Sequence, residues 1–283
     1  MSRWFRQPHK PAWLMGVLNC TPDSFSDGNI DNLEAHILRA KEMIAQGADM
    51  IDVGGESTRP NAMPVSLEEE LSRVLPVVKA LTALSIPVSI DTMKAEVMLQ
   101  ATQAGATLVN DVSALTHDEK SLQVVAKTGA DVCLMHMKGN PQTMQDNPIY
   151  DDVLTEVMCF FEQRIEACLS AGIAKSAIVL DPGIGFGKRL EDNLRLIVNV
   201  ATIKDAFHMP VLLGASRKSF LGLITGSKVR QRETETAVAS AIGIFCGADM
   251  IRVHDCSTHH QTTLVASQLL DAKQHVNEVC HAV

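Results

Sequence analysis

At eight places a short apolar run leads directly into polar or charged residues: Asn19, Glu56 to Arg59, Asp91, Asn110-Asp111, His136, Asp181, Ser216-Arg217-Lys218, and Arg252 with His254. Their types fall into two groups. Arg217, Lys218, Arg252 and His254 are cationic or nearly so and come late in the chain. They suit a phosphate-bearing tail, and a helix beginning after them would add backbone N–H donors. Asp91 and Asp181, with Asn110, lie mid-chain. They suit a planar ring with N–H donors beside acceptors, because one carboxylate accepts two parallel N–H bonds. The substrate expected is a hydrogen-bonding heterocycle with an anionic tail.

The elements that must position these groups alternate along the chain. Apolar, β-branched runs predict about eight strands, at Trp13–Leu18, Met50–Gly54, Pro87–Ile90, Thr107–Val109, Asp131–Met135, Ala177–Leu180, Pro210–Leu213 and Met250–Val253. Several lack alternation, as in parallel strands covered on both faces. Leu33, Ile37, Ala40 and Ile44 share one helical face, and Gly47 is placed to close that helix. Ser66-Leu67-Glu68-Glu69 has the form of a capping box. Further helices are predicted over Val153–Ala171, Leu190–Ile203, Thr234–Cys246 and Thr258–Cys280. Gly-Ala-Asp or Gly-Ala-Thr begins at Gly47, Gly105, Gly129 and Gly247, each reading as a helix end before a strand. No linker divides the chain. The expectation is one α/β domain over residues 1–283, with residues 1–11 as an N-terminal extension, folded as a (β/α)8 TIM barrel with a parallel eight-stranded core. A doubly wound sheet is the runner-up. In a barrel the strand ends converge on one rim, where active sites sit. The long segments 20–32 and 55–65 are candidate lids.

A net charge of -8 argues against a general nucleic-acid or membrane-surface binder, since those surfaces are negative. The seven cysteines are odd in number, widely spaced and free of C-x-x-C, which points to reduced thiols and a cytoplasmic setting. No run approaches the roughly 20 apolar residues of a membrane span.

Several motifs fail on inspection. Gly183 to Lys188 is not a Walker loop, because Pro182 and Arg189 occupy positions that need Gly and Ser or Thr. It reads as a flexible, partly cationic loop beside Asp181. No zinc pattern and no G-x-S-x-G elbow occurs. His259-His260 reads as part of a solvated helix. Ser216 and Ser219 are read as hydrogen-bonding groups, and the alternative is a Schiff base at Lys218.

Longer stretches carry a resemblance. They are Asn19 to Gly28, Gly54 to Pro60, Ser89 to Thr92, Asn110 to Val112, Leu134 to Met137, Asp181 to Lys188, Ser216 to Ser219 and Arg252 to Asp255. In these motifs and their order, the chain resembles the dihydropteroate synthases. The resemblance implies a barrel, usually a homodimer, that joins 4-aminobenzoate to a dihydropterin methyl diphosphate. It implies pterin contacts at Asp91, Asn110, Asp181 and Lys218. It implies diphosphate contacts at Asn19, Thr58, Arg252 and His254, with Mg2+ at Asn19. Aminobenzoate, and the sulfonamides that mimic it, would meet Phe25, Thr58, Arg59, Pro60, Phe186, Lys218 and Ser219. Lys218, Asp91, Asp181 and Arg252 would carry the chemistry. Asn29 and Asn61 stand where the family often has glycine, which bears on the two long segments. A pterin-dependent methyltransferase would not need the Arg252/His254 end. An aldolase would use Lys218, and a non-catalytic homologue would lack the cations.

Overall fold

The structure is a computed structural model that describes residues 1–21, 33–57, 63–139, 144 and 148–281, with side chains described through 273. The strands are β1 (Trp13–Asn19), β2 (Met50–Gly54), β3 (Val88–Asp91), β4 (Leu108–Asp111), β5 (Asp131–Met135), β6 (Ile178–Asp181), β7 (Leu212–Leu213) and β8 (Met250–Val253). The helices are α1 (Leu33–Ala45), α2 (Leu67–Ala83), α3 (Ala95–Gln103), α4 (Ser121–Thr128), α5 (Val153–Ser170), α6 (Leu190–Val198), α7 (Val200–Phe207), α8 (Ser219–Thr225), α9 (Glu233–Phe245) and α10 (Cys256–His281). All strand pairs are parallel, in the order β6-β5-β4-β3-β2-β1-β8-β7. A bridge from Leu180 to Val211 and a bond from Leu180 N to Pro210 O (3.0 Å) bring β6 and β7 together. The result is a nearly closed (β/α)8 barrel.

All eight expected strands are present, with one consistent shift. Asn19, Asp91, Asn110-Asp111 and Asp181 are the last residues of strands rather than the first of loops. The ladder continues through them, with Asn19 beside Gly54, Gly54 beside Asp91 and Asp91 beside Asn110. Strand pleating therefore fixes where their side chains point. β7 is shorter than expected: Pro210 has no N–H to donate to the ladder, and the Val211 N–H goes to the Asp249 carboxylate at 3.1 Å.

The predicted helix over Leu190–Ile203 is two helices. Asn199, at φ -107 and ψ 20, ends α6 and starts α7. Only half of the capping box forms. Ser66 Oγ accepts from Glu69 N, while Glu69 pairs with Arg73. The glycines expected to end helices do so, with φ of +99 at Gly47, +106 at Gly105, +68 at Gly129 and +109 at Gly247. His259 corrects the reading of a solvated helix. It is fully buried, and its Nδ1 lies 2.7 Å from Asp255 O.

The strands do alternate, though both faces are apolar near the floor. Ile51, Val53, Ile90, Val109, Leu134, Leu180, Leu213 and Val253 belong to the main core under the helices. Met15, Met50, Leu108, Cys133, Val179, Leu212 and Met250 form a second cluster inside the barrel. Trp4 joins that inner cluster and meets Trp13 edge-on, with ring centroids 5.2 Å apart. Its indole N–H donates to Asp131 at 2.7 Å, and Arg6 binds Asp249 and Asp271. The N-terminal extension is thus the floor of the barrel. Trp4→Ala is expected to cost about 3–5 kcal/mol, the range for emptying a large aromatic site. Denaturant unfolding measures this, and a loss below about 1 kcal/mol would contradict the floor role.

Candidate active site

Above the apolar floor the inward positions turn polar. One face of β2 carries Met50, Asp52 and Gly54, and the rim-side ends of other strands carry Asp91, Asn110, Asp181 and Arg252. Arg252 Nε donates to Asp52 at 2.6 Å and its Nη2 to Asp91 at 2.6 Å. Asn110 Nδ2 donates to the same Asp52 oxygen at 3.0 Å. Residues from four strands, up to 200 positions apart, become one network. Gly54 and Gly214 leave space beside the carboxylates. A Cβ at Gly54 would lie 3.4 Å from Asp91 Cβ, and one at Gly214 would lie 3.8 Å from Asp181 Oδ2.

Asp52 was missed by the sequence reading. It sits inside a strand, so it gave no strand-end signal. Its period-two spacing from Met50 and Gly54 would have shown it. It is fully buried, and its Oδ1 has no hydrogen-bond partner among the described residues. A buried carboxylate oxygen without a donor is costly unless a ligand supplies one.

Burial pushes Asp91 up to about 7, against the pull of Arg252 and helped by Asp52, Asp111 and Glu70. Burial also raises Asp181, while the Gly183 N–H (2.7 Å), Lys218, Lys188 and Arg252 hold it down. Asp111 turns to the other face and accepts from Ser113 and Leu115 N–H groups, so it shapes a turn.

The cationic end is rearranged. Lys218 ends the β7 turn, and its Nζ lies 3.8 Å from the Phe186 ring centroid. His254 Nδ1 lies 2.9 Å from Ser216 Oγ, so that hydroxyl orients an imidazole, as a hydrogen-bonding role requires. Arg217 does not join the cluster. At φ 58 it turns away and pairs with Glu233. Arg252 sits among the carboxylates rather than only beside His254. Asn19 ends β1 on the same rim, and Ser219 is exposed at the start of α8. Thr58, Arg59, Pro60, Phe25, Asn29 and Asn61 lie outside the described residues.

The loop after β6 is tightly built rather than flexible. Lys188 is 4% exposed, and its Nζ reaches His136 O, Gly183 O and Phe186 O at 3.2, 2.9 and 3.1 Å. Burial, with the charge of Lys188, pushes His136 down to about 2, so its imidazole is neutral. At the stem of the segment after β2, Lys94 pairs with Glu56 and Glu70, and Thr92 Oγ1 donates to Glu70 at 2.6 Å. Among the described residues there is no cluster of three metal-ligating His, Cys, Asp or Glu side chains. The described cysteines are free thiols, and no described helix is long and apolar enough to cross a membrane.

Comparison with known proteins agrees with this geometry. The pterin binding enzyme family matches residues 15–254. The dihydropteroate synthase of Escherichia coli K12 is 45% identical over 263 residues, covering 92% of this chain and 93% of the relative. The Yersinia pestis dihydropteroate synthase, solved with a sulfonamide drug, superposes with a TM-score of 0.86 at 43% identity, covering 94% and 95% of the two chains. The Xanthomonas albilineans enzyme, solved with 4-aminobenzoic acid, gives 0.84 at 42% identity and covers 94% of each chain. A family match across the whole barrel, this identity over nine-tenths of the chain, and a polar ring at the matching strand ends place the chain in the pterin binding enzyme family, among its dihydropteroate synthases.

Proposed function

We propose that this chain condenses 4-aminobenzoate with (7,8-dihydropterin-6-yl)methyl diphosphate, giving 7,8-dihydropteroate and diphosphate in folate biosynthesis. The observation that carries the reading is the buried Asp52 Oδ1, without a hydrogen-bond partner among the described residues, in a ring of Asp91, Asn110 and Asp181 beside glycine-lined space. A pterin edge with several N–H donors matches that ring.

In the step, the bond from the methyl carbon to the diphosphate oxygen breaks, and its electron pair leaves with the diphosphate. Lys218, His254 and Arg252 would oppose the negative charge that grows there. Asp52, Asp91 and Asp181 hold the pterin as its methylene turns cationic. The amine lone pair forms the C–N bond, and the amine then releases a proton to solvent. No side-chain nucleophile is needed, and positioning supplies much of the rate.

Mg2+ is part of this proposal. Among the described residues no all-protein cage exists. Mg2+ keeps several waters and is bound by one or two side chains plus substrate phosphates, and the Asn19 amide oxygen, at the rim end of β1, is a hard oxygen donor of that kind. Asn19 would hold it, and the ion would polarise the departing diphosphate.

A homodimer and a cytoplasmic setting complete the reading. Val238 and Ile242 on α9, with Val265 and Leu269 on α10, are exposed apolar side chains on adjacent helices, which suits a second copy of the chain. Light scattering reads the mass directly.

The decisive experiment is diphosphate release from the pterin substrate with Mg2+, with and without 4-aminobenzoate. Amine-dependent release with dihydropteroate formed supports the synthase. Pterin binding without release overturns it in favour of a non-catalytic binder. Trapping of a Schiff base by borohydride would favour the aldolase alternative. Sulfonamides are expected to compete with 4-aminobenzoate, and an inhibition constant far above its KM would count against that subsite.

A pH effect follows from Asp91. Below about 7 it carries a proton, and an O–H faces the pterin N–H groups in place of a lone pair. Affinity for the uncharged pterin alcohol is expected to rise from about pH 6 to 8, by several-fold, as that proton leaves. Calorimetry checks this, and a flat profile would remove Asp91 from pterin binding.

A further inference from the structure

We propose that Lys188 is a positioning residue for the aminobenzoate subsite: its buried side chain ties the 183–188 loop to the end of β5 and so fixes the Phe186 ring beside Lys218. The inference rests on the synthase reading and adds a residue to it.

The local sequence explains the geometry. Gly183, Gly185 and Gly187 have φ of +69, +82 and +61, which side chains rarely adopt. A Cβ at Gly183 would lie 1.9 Å from His136 O, and one at Gly187 would lie 2.3 Å from Lys138 O. The loop therefore presses main chain against main chain behind β5. That approach turns the carbonyls of His136, Gly183 and Phe186 inward, and an ammonium has three N–H groups for the three of them. The neutral His136 Nδ1, at 3.0 Å, is a fourth acceptor that shares one of these N–H groups, which puts the imidazole proton on Nε2.

Lys188 is enclosed, so its influence on substrate must pass through its neighbours. The neighbour that reaches the site is Phe186. Its carbonyl accepts from Lys188, its N–H donates to Gly183 O at 3.0 Å, and its ring lies under Lys218. Gly185 completes the seat. A Cβ there would come within 2.9 Å of Lys218 Cδ, so a small shift of the loop moves Lys218 as well. Burial, with Lys218, pushes Lys188 down to about 7, against the pull of Asp181 on β6 and Asp192 on α6, while four acceptors around its Nζ favour the ammonium.

The test is steady-state kinetics of Lys188→Met, which keeps the length of the stem and removes the donors. The KM for 4-aminobenzoate is expected to rise about tenfold or more, as sub-ångström misplacement allows, with the KM for the pterin diphosphate within about threefold of wild type. In a Phe186→Ala background, Lys188→Met should add less than about threefold, because two changes acting through one contact are not additive. If Lys188→Met does not fold, Lys188→Gln keeps two of the three N–H donors without the charge and carries the same comparison. An unchanged aminobenzoate KM, an equal rise in both KM values, or full additivity with Phe186→Ala would each overturn the role. An inactive wild-type protein would instead count against the synthase reading itself.

Discussion

Lys218→Ala is expected to lower kcat/KM at least about 100-fold, the usual consequence of removing one preorganised charge from a site that stabilises developing charge. Two observations set the size. Lys218 reaches into the site beside the Phe186 ring, whereas Arg217 is turned to Glu233 and Lys94 to Glu56 and Glu70. It also faces both halves of the site, since its Nζ lies over the Phe186 ring and its charge holds the Asp181 carboxyl down. Alanine would remove the charge, the ring contact and part of what offsets the burial of Asp181. Arginine is not expected to rescue the loss. Lys218 is packed against Gly185, and a planar guanidinium cannot take the same seat as a compact ammonium. Kinetics with the melting temperature measured alongside decide the matter. Turnover near wild type in a folded Lys218→Ala protein would remove Lys218 from the reaction.

Arg252→Met should damage both activity and stability. Arg252 is the cation between Asp52 and Asp91, and its removal leaves two carboxyl groups crowded in a buried site. Deleting one partner of a buried ion pair costs about 3–5 kcal/mol, because the remaining charge has neither water nor a counterion. Synthase activity is expected to fall below about 1% of wild type, as the same change removes a charge from the diphosphate end. The stability loss should depend on pH. Burial already pushes Asp91 up to about 7, and losing Arg252 pushes it further from its unfolded value. A carboxyl raised in the folded state binds more protons there than in the unfolded chain, so stability falls as pH rises through that window. The variant's deficit should therefore be largest at neutral and alkaline pH and smaller near pH 5, in the range of ordinary carboxyl titration. Urea titrations at several pH values test this, and a deficit independent of pH would show that Asp91 does not carry the effect.

Much of the molecule was legible in the sequence. Short apolar runs between helical stripes specified eight parallel strands, because a strand covered on both faces has to be apolar on both. The glycines at 47, 105, 129 and 247 marked helix ends, because a left-handed backbone excludes most other residues. Asp91, Asn110, Asp181 and Arg252 stood out because polar groups next to buried-type strands need a use, and the barrel brings all four onto one ring.

The rest was decided by tertiary structure, for reasons that are local and physical. Asp52 was hidden because a charge inside a strand is meaningful only once pleating shows which face it takes and what it meets. Arg252 read as a diphosphate cation, yet its partners Asp52 and Asp91 were set by strand register, which no local pattern encodes. Arg217 and Lys218 are adjacent and chemically alike. A left-handed turn at Arg217 sends one to Glu233 and leaves the other on the Phe186 ring. Lys188 looked like part of a loose glycine loop, and only the contact with the β5 end made it a buried cation holding three carbonyls. Residue types and spacing determined the barrel and which strand ends carry chemistry. Register, pleat direction and backbone handedness determined which of those groups meet, because contacts between residues far apart in the chain exist only after it has closed on itself.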